Sequence, residues 1–204
     1  MESESKEHGG AEDILGAAKE LFAEKGFDAV SVSAIAERAG SGKTNVFHHF
    51  GNKQRLYFAV MRGAVDRSEL NMRAVTESDA EGCERLREAI RLHYNLLEED
   101  PERARLIMRE VMFSSPRQGQ ELAEEVFGDH FQAMIEMVRS LGLGSGQRAA
   151  FVAFMLMAAN VMRFHCRNVM RHFPDSEFQD DLDGYVEYLS TMLFSVKTDS
   201  QETS

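Results

Sequence analysis

The chain has 204 residues, with 23 Lys and Arg against 34 Asp and Glu, a net charge of −11, and 43% hydrophobic residues. That is enough chain for one large or two small domains with a sizeable core, and it excludes a disordered or fibrous class. The acidic average argues against a protein that coats nucleic acid, but its distribution qualifies this. Between Arg38 and Val65 stand Arg38, Lys43, Lys53, Arg55 and Arg62 and no acidic residue. One short basic segment sits on an acidic body, and phosphate binding needs a local patch rather than a basic mean.

Cys83 and Cys166 lie far apart and form no CxxC pair, so reduced thiols in a cytoplasmic protein are expected. No apolar run is read as a membrane span, and the polar start MESESKEHGG resembles no targeting segment. Only three prolines, beside abundant Ala, Glu, Leu, Arg and Met, predict an all-α fold of about nine helices, without strand alternation or internal repeats.

In chain order, residues 1–10 read as a disordered tail. Ile14, Ala17, Ala18, Leu21 and Phe22 then recur at helical spacing, and Gly26 stops that helix. Ser31 or Ser33 caps a second short helix containing Ile35 and Ala36. Gly40 breaks it, Gly42 opens a third, and Lys53 begins a long fourth helix. A helix follows over about 81–98, Asp100-Pro101 restarts the chain, and Ser114-Ser115-Pro116 breaks it again. One helix is read from about Gln118 through Val138. The glycine-rich loop 141–146 leads to the most apolar segment, about 147–172, expected to be buried by more than one neighbour. A last helix is placed over about 177–196, followed by a polar tail over 198–204. The domains are thus a head at 11–52 and a ligand-binding and dimerisation body at 53–197.

The stretch AIAERAGSGKTNVFHHFGNKQRL carries the strongest signal: two short helices about a glycine turn, the second with a polar tip. This arrangement lays a helix in the major groove of DNA. Lys43, Thr44 and Asn45 begin the second helix; Lys suits guanine, Asn adenine, and Thr a thymine methyl. Ser33 and Lys53, at the starts of the second and fourth helices, are placed on phosphates. GSGKT invites a phosphate-loop reading, but a Walker A motif needs glycine where Glu37 stands, and helix precedes it instead of a strand. Seven histidines show no metal-ligand spacing; His48 and His49 are neighbours, and His130 stands alone. No catalytic constellation is visible, so neither an enzyme nor a cofactor is expected.

Ile14-Leu15, Ala17-Ala18, Leu21-Phe22, Gly26-Phe27, Ile35-Ala36, Ala39-Gly40, Val46-Phe47, His48, Phe50, Lys53 and Leu56, in that order, resemble the N-terminal domain of the TetR family of bacterial transcriptional regulators. The resemblance implies a helix-turn-helix head on a six-helix body. It implies a homodimer that binds a palindromic operator and releases it when a small molecule enters the body. Phe47 and His48 stand where the family places a tyrosine and a histidine near phosphates, so Phe47 lacks the hydroxyl. The helices 147–172 and 177–196 match the family's dimer pair.

With Met1 and Met61 set aside, the other ten of the twelve methionines fall in the body, and methionine suits an adaptable apolar pocket as well as a core. Apolar stripes nominate Tyr57, Met61, His93, Tyr94, Met108, Met112, Phe131, Met134, Met155 and Asn160 as pocket lining. Asn160 and Arg163 interrupt the apolar helix and must find partners; Arg163 is placed at an interface or helix edge. A competing reading keeps the DNA binding but replaces the small ligand with a protein partner or a nucleoid role.

Overall fold

The computed structural model describes residues 10–80 and 82–198. The tails expected at 1–10 and 198–204 lie outside the described residues, Gly10 and Thr198 apart. Among the described residues there are ten α-helices and no strand: α1 (Ala11–Lys25), α2 (Val32–Arg38), α3 (Lys43–Phe50), α4 (Lys53–Glu77), α5 (Gly82–Glu99), α6 (Pro101–Phe113), α7 (Pro116–Leu122), α8 (Gly128–Ser140), α9 (Gly146–Met170) and α10 (Leu182–Thr198). The chain divides into two compact units, Met1–Ala64 with Pro101–Val126, and Val65–Asp100 with Phe127–Ser204. The division cuts through α4, so α6 and α7 belong with the head rather than with the remainder of the body.

Local chemistry sets the ends of these helices. Ser31 caps α2, its Oγ accepting from Ala34 N–H at 3.1 Å. Ser33 lies inside the helix. Gly40, at φ 62°, closes α2, and the Ser41 N–H donates back to the Ala36 carbonyl at 2.8 Å. A side chain strains that left-handed backbone, which is why glycine stands there. Ser115 and Gln118 form a capping box ahead of α7, with Pro116 in its first turn. Asp181 caps α10 by accepting from the Gly184 N–H at 2.9 Å.

Three expectations need correction. The helix read from Gln118 to Val138 is interrupted by a π-helical turn, Ala123–Phe127, before Gly128 opens α8. A π turn adds a residue and shifts the apolar register, and Val126–Phe127 is also where the chain leaves the first unit. The helix read from 177 begins as a single 3-10 turn, Glu177–Gln179, and α10 proper starts at Leu182. Finally, α9 is long and apolar enough by length and composition to cross a membrane. It is not buried on all sides. Ala149, Ala153, Leu156, Asn160, Arg163 and Phe164 are buried, whereas Phe151, Phe154, Met155, Met162 and Val169 are exposed.

The core of the second unit gathers Met72 and Val75 of α4, Leu86, Ala89 and Ile90 of α5, Met134, Met137 and Val138 of α8, Ala153 and Leu156 of α9, and Val186 and Leu189 of α10. Each of these helices contributes one stripe at three- and four-residue spacing.

Candidate nucleic-acid interface and buried polar site

In the first unit, α3 presents its N-terminal turn to solvent. Gly42 is the N-cap in extended conformation with no side chain to offer, so the first N–H groups of α3 stay open to an external acceptor. Lys43, Thr44, Phe47 and His48 are exposed, and Asn45 is half-buried, its Nδ2 donating to Ser41 Oγ at 3.0 Å. Val46 is the buried anchor of the helix. Lys53 is half-buried, its ammonium 4.2 Å from the centre of the Phe27 ring. Of the five basic residues in the segment, Arg38 pairs with Glu20 at 2.9 Å, which spends part of the local positive charge.

Behind α3, Phe22, Phe27 and Tyr57 form an aromatic cluster with Phe22–Tyr57 and Phe27–Tyr57 centroids 4.8 and 4.9 Å apart. Burial, and then the neighbouring Glu110, push the Tyr57 phenol well above its ordinary range. Arg109 of α6 donates to the Phe22 carbonyl at 2.9 Å. It also lies 3.7 Å from where a Cβ on Gly26 would stand, at a φ of 82°. Gly26 therefore serves both the turn and the close approach of a guanidinium. Arg109 escaped the sequence reading, because its meeting with Phe22 joins residues far apart in the chain.

The second unit holds a buried polar network. The Tyr185 hydroxyl donates to Asn160 Oδ1 at 3.0 Å, and Asn160 Nδ2 donates to the Ile90 carbonyl and meets His93 Nδ1, both at 3.0 Å. His93 stacks on His130, with centroids 6.0 Å apart. His130 therefore does not stand alone; its spacing to Met134 and Val138 along α8 was the available signal. Arg163 is 5% exposed, buried within its own chain rather than set at a helix edge. It donates to the carbonyls of Phe178 and Gln179 and stacks between the rings of Tyr94 and Tyr185.

The ten nominated pocket residues are not gathered round one cavity. His93, Met134 and Asn160 line a space of about 10 Å³ with Met72, Ala89, Ile90, Met137 and Leu156. Tyr57, Met61 and Met108 belong to the first unit, where Tyr57 lines a separate space of about 30 Å³ with Phe27, Gln54, Phe58, Glu110, Gln118 and Leu122. Met112 and Met155 are exposed, Phe131 is half-buried, and Tyr94 packs under Arg163. Apolar stripes identify which side of a helix is buried but not which neighbour covers it.

Burial, and then His130 beside it, push the His93 imidazole down to about 3; burial pushes His130 down to about 4, against an opposing influence of Glu69. Both values fall below the ordinary 6.5, so the unfolded chain binds more protons than the folded one between about pH 4 and 6.5. The stability contributed by these neutral rings is fully present above pH 6.5 and is lost as pH falls. Urea unfolding at pH 5.5 is expected to show about 2–3 kcal/mol less stability than at pH 7.5. His93→Phe is expected to remove about half of that difference, the share of His130 remaining.

Comparison with known proteins fits this geometry. The family model described as "Bacterial regulatory proteins, tetR family" matches residues 14–60, which span most of α1, all of α2 and α3 and the start of α4. The HTH-type transcriptional activator FasR of Mycolicibacterium smegmatis is 30% identical over 151 residues, covering 72% of this chain and 67% of FasR. The HTH-type transcriptional regulator RutR of Escherichia coli K12 is 33% identical over 131 residues, 64% of this chain and 59% of RutR. The solved fatty acid degradation regulator FadR from Bacillus halodurans matches with a TM-score of 0.68 at 17% identity, covering 89% of this chain and 93% of that one. A solved SmeT–triclosan complex matches with a TM-score of 0.63 at 22% identity, covering 88% of each chain. The chain belongs to the TetR family and is a DNA-binding transcriptional regulator.

Proposed function

We propose that this protein is a homodimeric repressor that holds a palindromic operator through two copies of α3 and lets it go when a small, largely apolar molecule enters the second unit. The observation that carries the DNA half is the uncapped, exposed start of α3 within a segment that has basic residues and no acidic one. Lys43, Thr44 and Asn45 are assigned to base edges. Ser33, His48 and Lys53 are assigned to phosphates, with Phe47 making apolar contact beside them. Lys53 approaches a phosphate from its seat on the Phe27 ring.

Lys43→Ala is expected to weaken operator binding about tenfold and to lower the slope of log affinity against log salt by about one, without changing the melting temperature. Fluorescence anisotropy on a footprinted operator measures both. A failure to find any preferred site at moderate salt overturns the reading. The sign of regulation is read from a reporter: derepression on deletion supports a repressor, whereas lost expression supports activation, as the name of FasR describes for that protein.

The dimer half rests on α9 and α10. Phe151, Phe154, Met155, Met162 and Val169 recur at three-, four- and seven-residue spacing down the uncovered side of α9, and Tyr188 and Met192 are exposed four apart on α10. A contiguous apolar stripe of this kind marks an interaction surface, and two such helices pair with their symmetry mates as a four-helix bundle. A second reading, control by a protein partner instead of a small molecule, draws on the tightness of the core, where the space beside His93 measures about 10 Å³. A thermal-shift screen with apolar small molecules separates the two.

A further inference from the structure

The space of about 30 Å³ in the first unit has a polar edge made by Gln54 and Tyr57 of α4, Glu110 of α6 and Gln118 of α7, with Phe58 and Leu122 among its apolar walls. Tyr57 is 3% exposed, and its hydroxyl is buried without a hydrogen-bond partner. Phe22 and Phe27 pack against its ring, with centroids 4.8 and 4.9 Å away. Burial raises the phenol first and Glu110 raises it further. Tyr57 and Glu110 both line the space, so the hydroxyl stands at its polar end, beside a carboxylate that it does not bond. An orphaned buried hydroxyl is costly to keep, and this one borders room for about two waters.

This edge is rich in acceptors. Gln54 gives its amide nitrogen to the Glu121 carboxylate, which leaves its oxygen to accept. The Tyr57 oxygen accepts as well. Glu110 is half-buried, and its ion pair with Arg109 Nε is long, at 4.0 Å, while Arg109 Nη2 is held by the Phe22 carbonyl. A carboxylate takes about four hydrogen bonds, so Glu110 keeps acceptor capacity for a guest. The odd member is Gln118, whose oxygen is taken by the Ser115 N–H and hydroxyl and whose NH2 remains to donate.

We propose that this space is a binding site for a primary ammonium group, the head of an alkylamine or one end of a polyamine, with its three hydrogens directed to Glu110, the Tyr57 oxygen and the Gln54 oxygen. Three donors meet three acceptors, and one positive charge meets one carboxylate. A carboxylate guest brings like charge to Glu110, and an alcohol brings a single donor. Phe58 and Leu122 cover the first methylenes of the tail. The Lys53 ammonium lies 4.2 Å from the centre of the Phe27 ring, which keeps the guest's charge to the Glu110 side. The site belongs to the unit that carries α3 and is independent of the apolar effector proposed for the second unit.

The test is calorimetric titration of the full chain at pH 7.5 with butylammonium, butanol and butyrate. Butylammonium is expected to bind with a Kd of about 1 mM, butanol about tenfold more weakly, and butyrate not at all. Glu110→Gln keeps the shape of the side chain and is expected to lose about tenfold in butylammonium affinity with butanol unchanged. That variant also separates this site from loose attraction of cations to the acidic surface, which one charge among many leaves in place. Tyr57→Phe is expected to lose about fivefold in butylammonium affinity, and to raise the melting temperature of the free protein because the orphaned hydroxyl is gone. Butylammonium that binds no tighter than butanol, or with the same affinity in Glu110→Gln, overturns the proposal, as does absence of binding by all three probes. A lower melting temperature in Tyr57→Phe shows the hydroxyl to be satisfied in the free protein and overturns its assignment as an acceptor for the guest.

Discussion

Replacing Asn160 with leucine is expected to cost about 3–5 kcal/mol of unfolding free energy, measured by urea denaturation at pH 7.5. Asn160 is 1% exposed and bonds three groups on two other helices: the Ile90 carbonyl and His93 Nδ1 of α5, and the Tyr185 hydroxyl of α10. Removal of the amide takes the partner from the buried His93 ring nitrogen and Tyr185 hydroxyl and leaves the Ile90 carbonyl only its helical bond, and an orphaned polar group costs more than the bond itself is worth. The double variant Asn160→Leu with Tyr185→Phe is expected to recover part of the loss, since the hydroxyl deprived of its acceptor is gone. A coupling energy near zero in that cycle would show the network to be incidental packing.

The second large effect falls on assembly. Phe151→Glu combined with Tyr188→Glu places charge on α9 and α10 at positions 63% and 75% exposed in the single chain, so the fold of each chain is expected to survive. Sedimentation is expected to show a monomer where the parent is a dimer. Operator affinity is expected to drop by about a hundredfold or more, because a lone α3 reads one half-site and loses the gain of simultaneous engagement. A folded variant that remains dimeric would move the interface elsewhere.

The head was legible because its signals are local. Gly26, Gly40 and Gly42 mark turns by the backbone conformations and caps they permit, and the apolar residues of α1 repeat every three or four positions within one helix. Even there the choice between Ser31 and Ser33 needed the structure, since either hydroxyl can cap and only the φ/ψ of the chain decides. The body was legible as helices but not as neighbours. His93 and His130 meet across 37 positions, a pairing that spacing within either helix cannot announce. Tyr57 and Met61 look as apolar as Met134, yet they pack in the first unit. The interruption at 123–127 escaped because a π turn leaves helix propensity intact and shifts only the phase. The apolarity of α9 led to an expectation of burial on all sides, whereas Phe151, Phe154, Met155, Met162 and Val169 are exposed in the single chain.

The uncovered stripe on α9 also bears on how the protein persists in the cell. If much of its apolar surface is removed from water only by a second copy, the free energy that holds the fold depends on how many copies are present. Dilution then acts as a denaturant. Melting temperatures should rise with protein concentration, and a chain made alone presents to chaperones and proteases a surface that its paired form conceals. For a regulator kept at low copy number, that couples abundance to lifetime: scarce chains are removed fastest, and the pool that survives is the pool already paired.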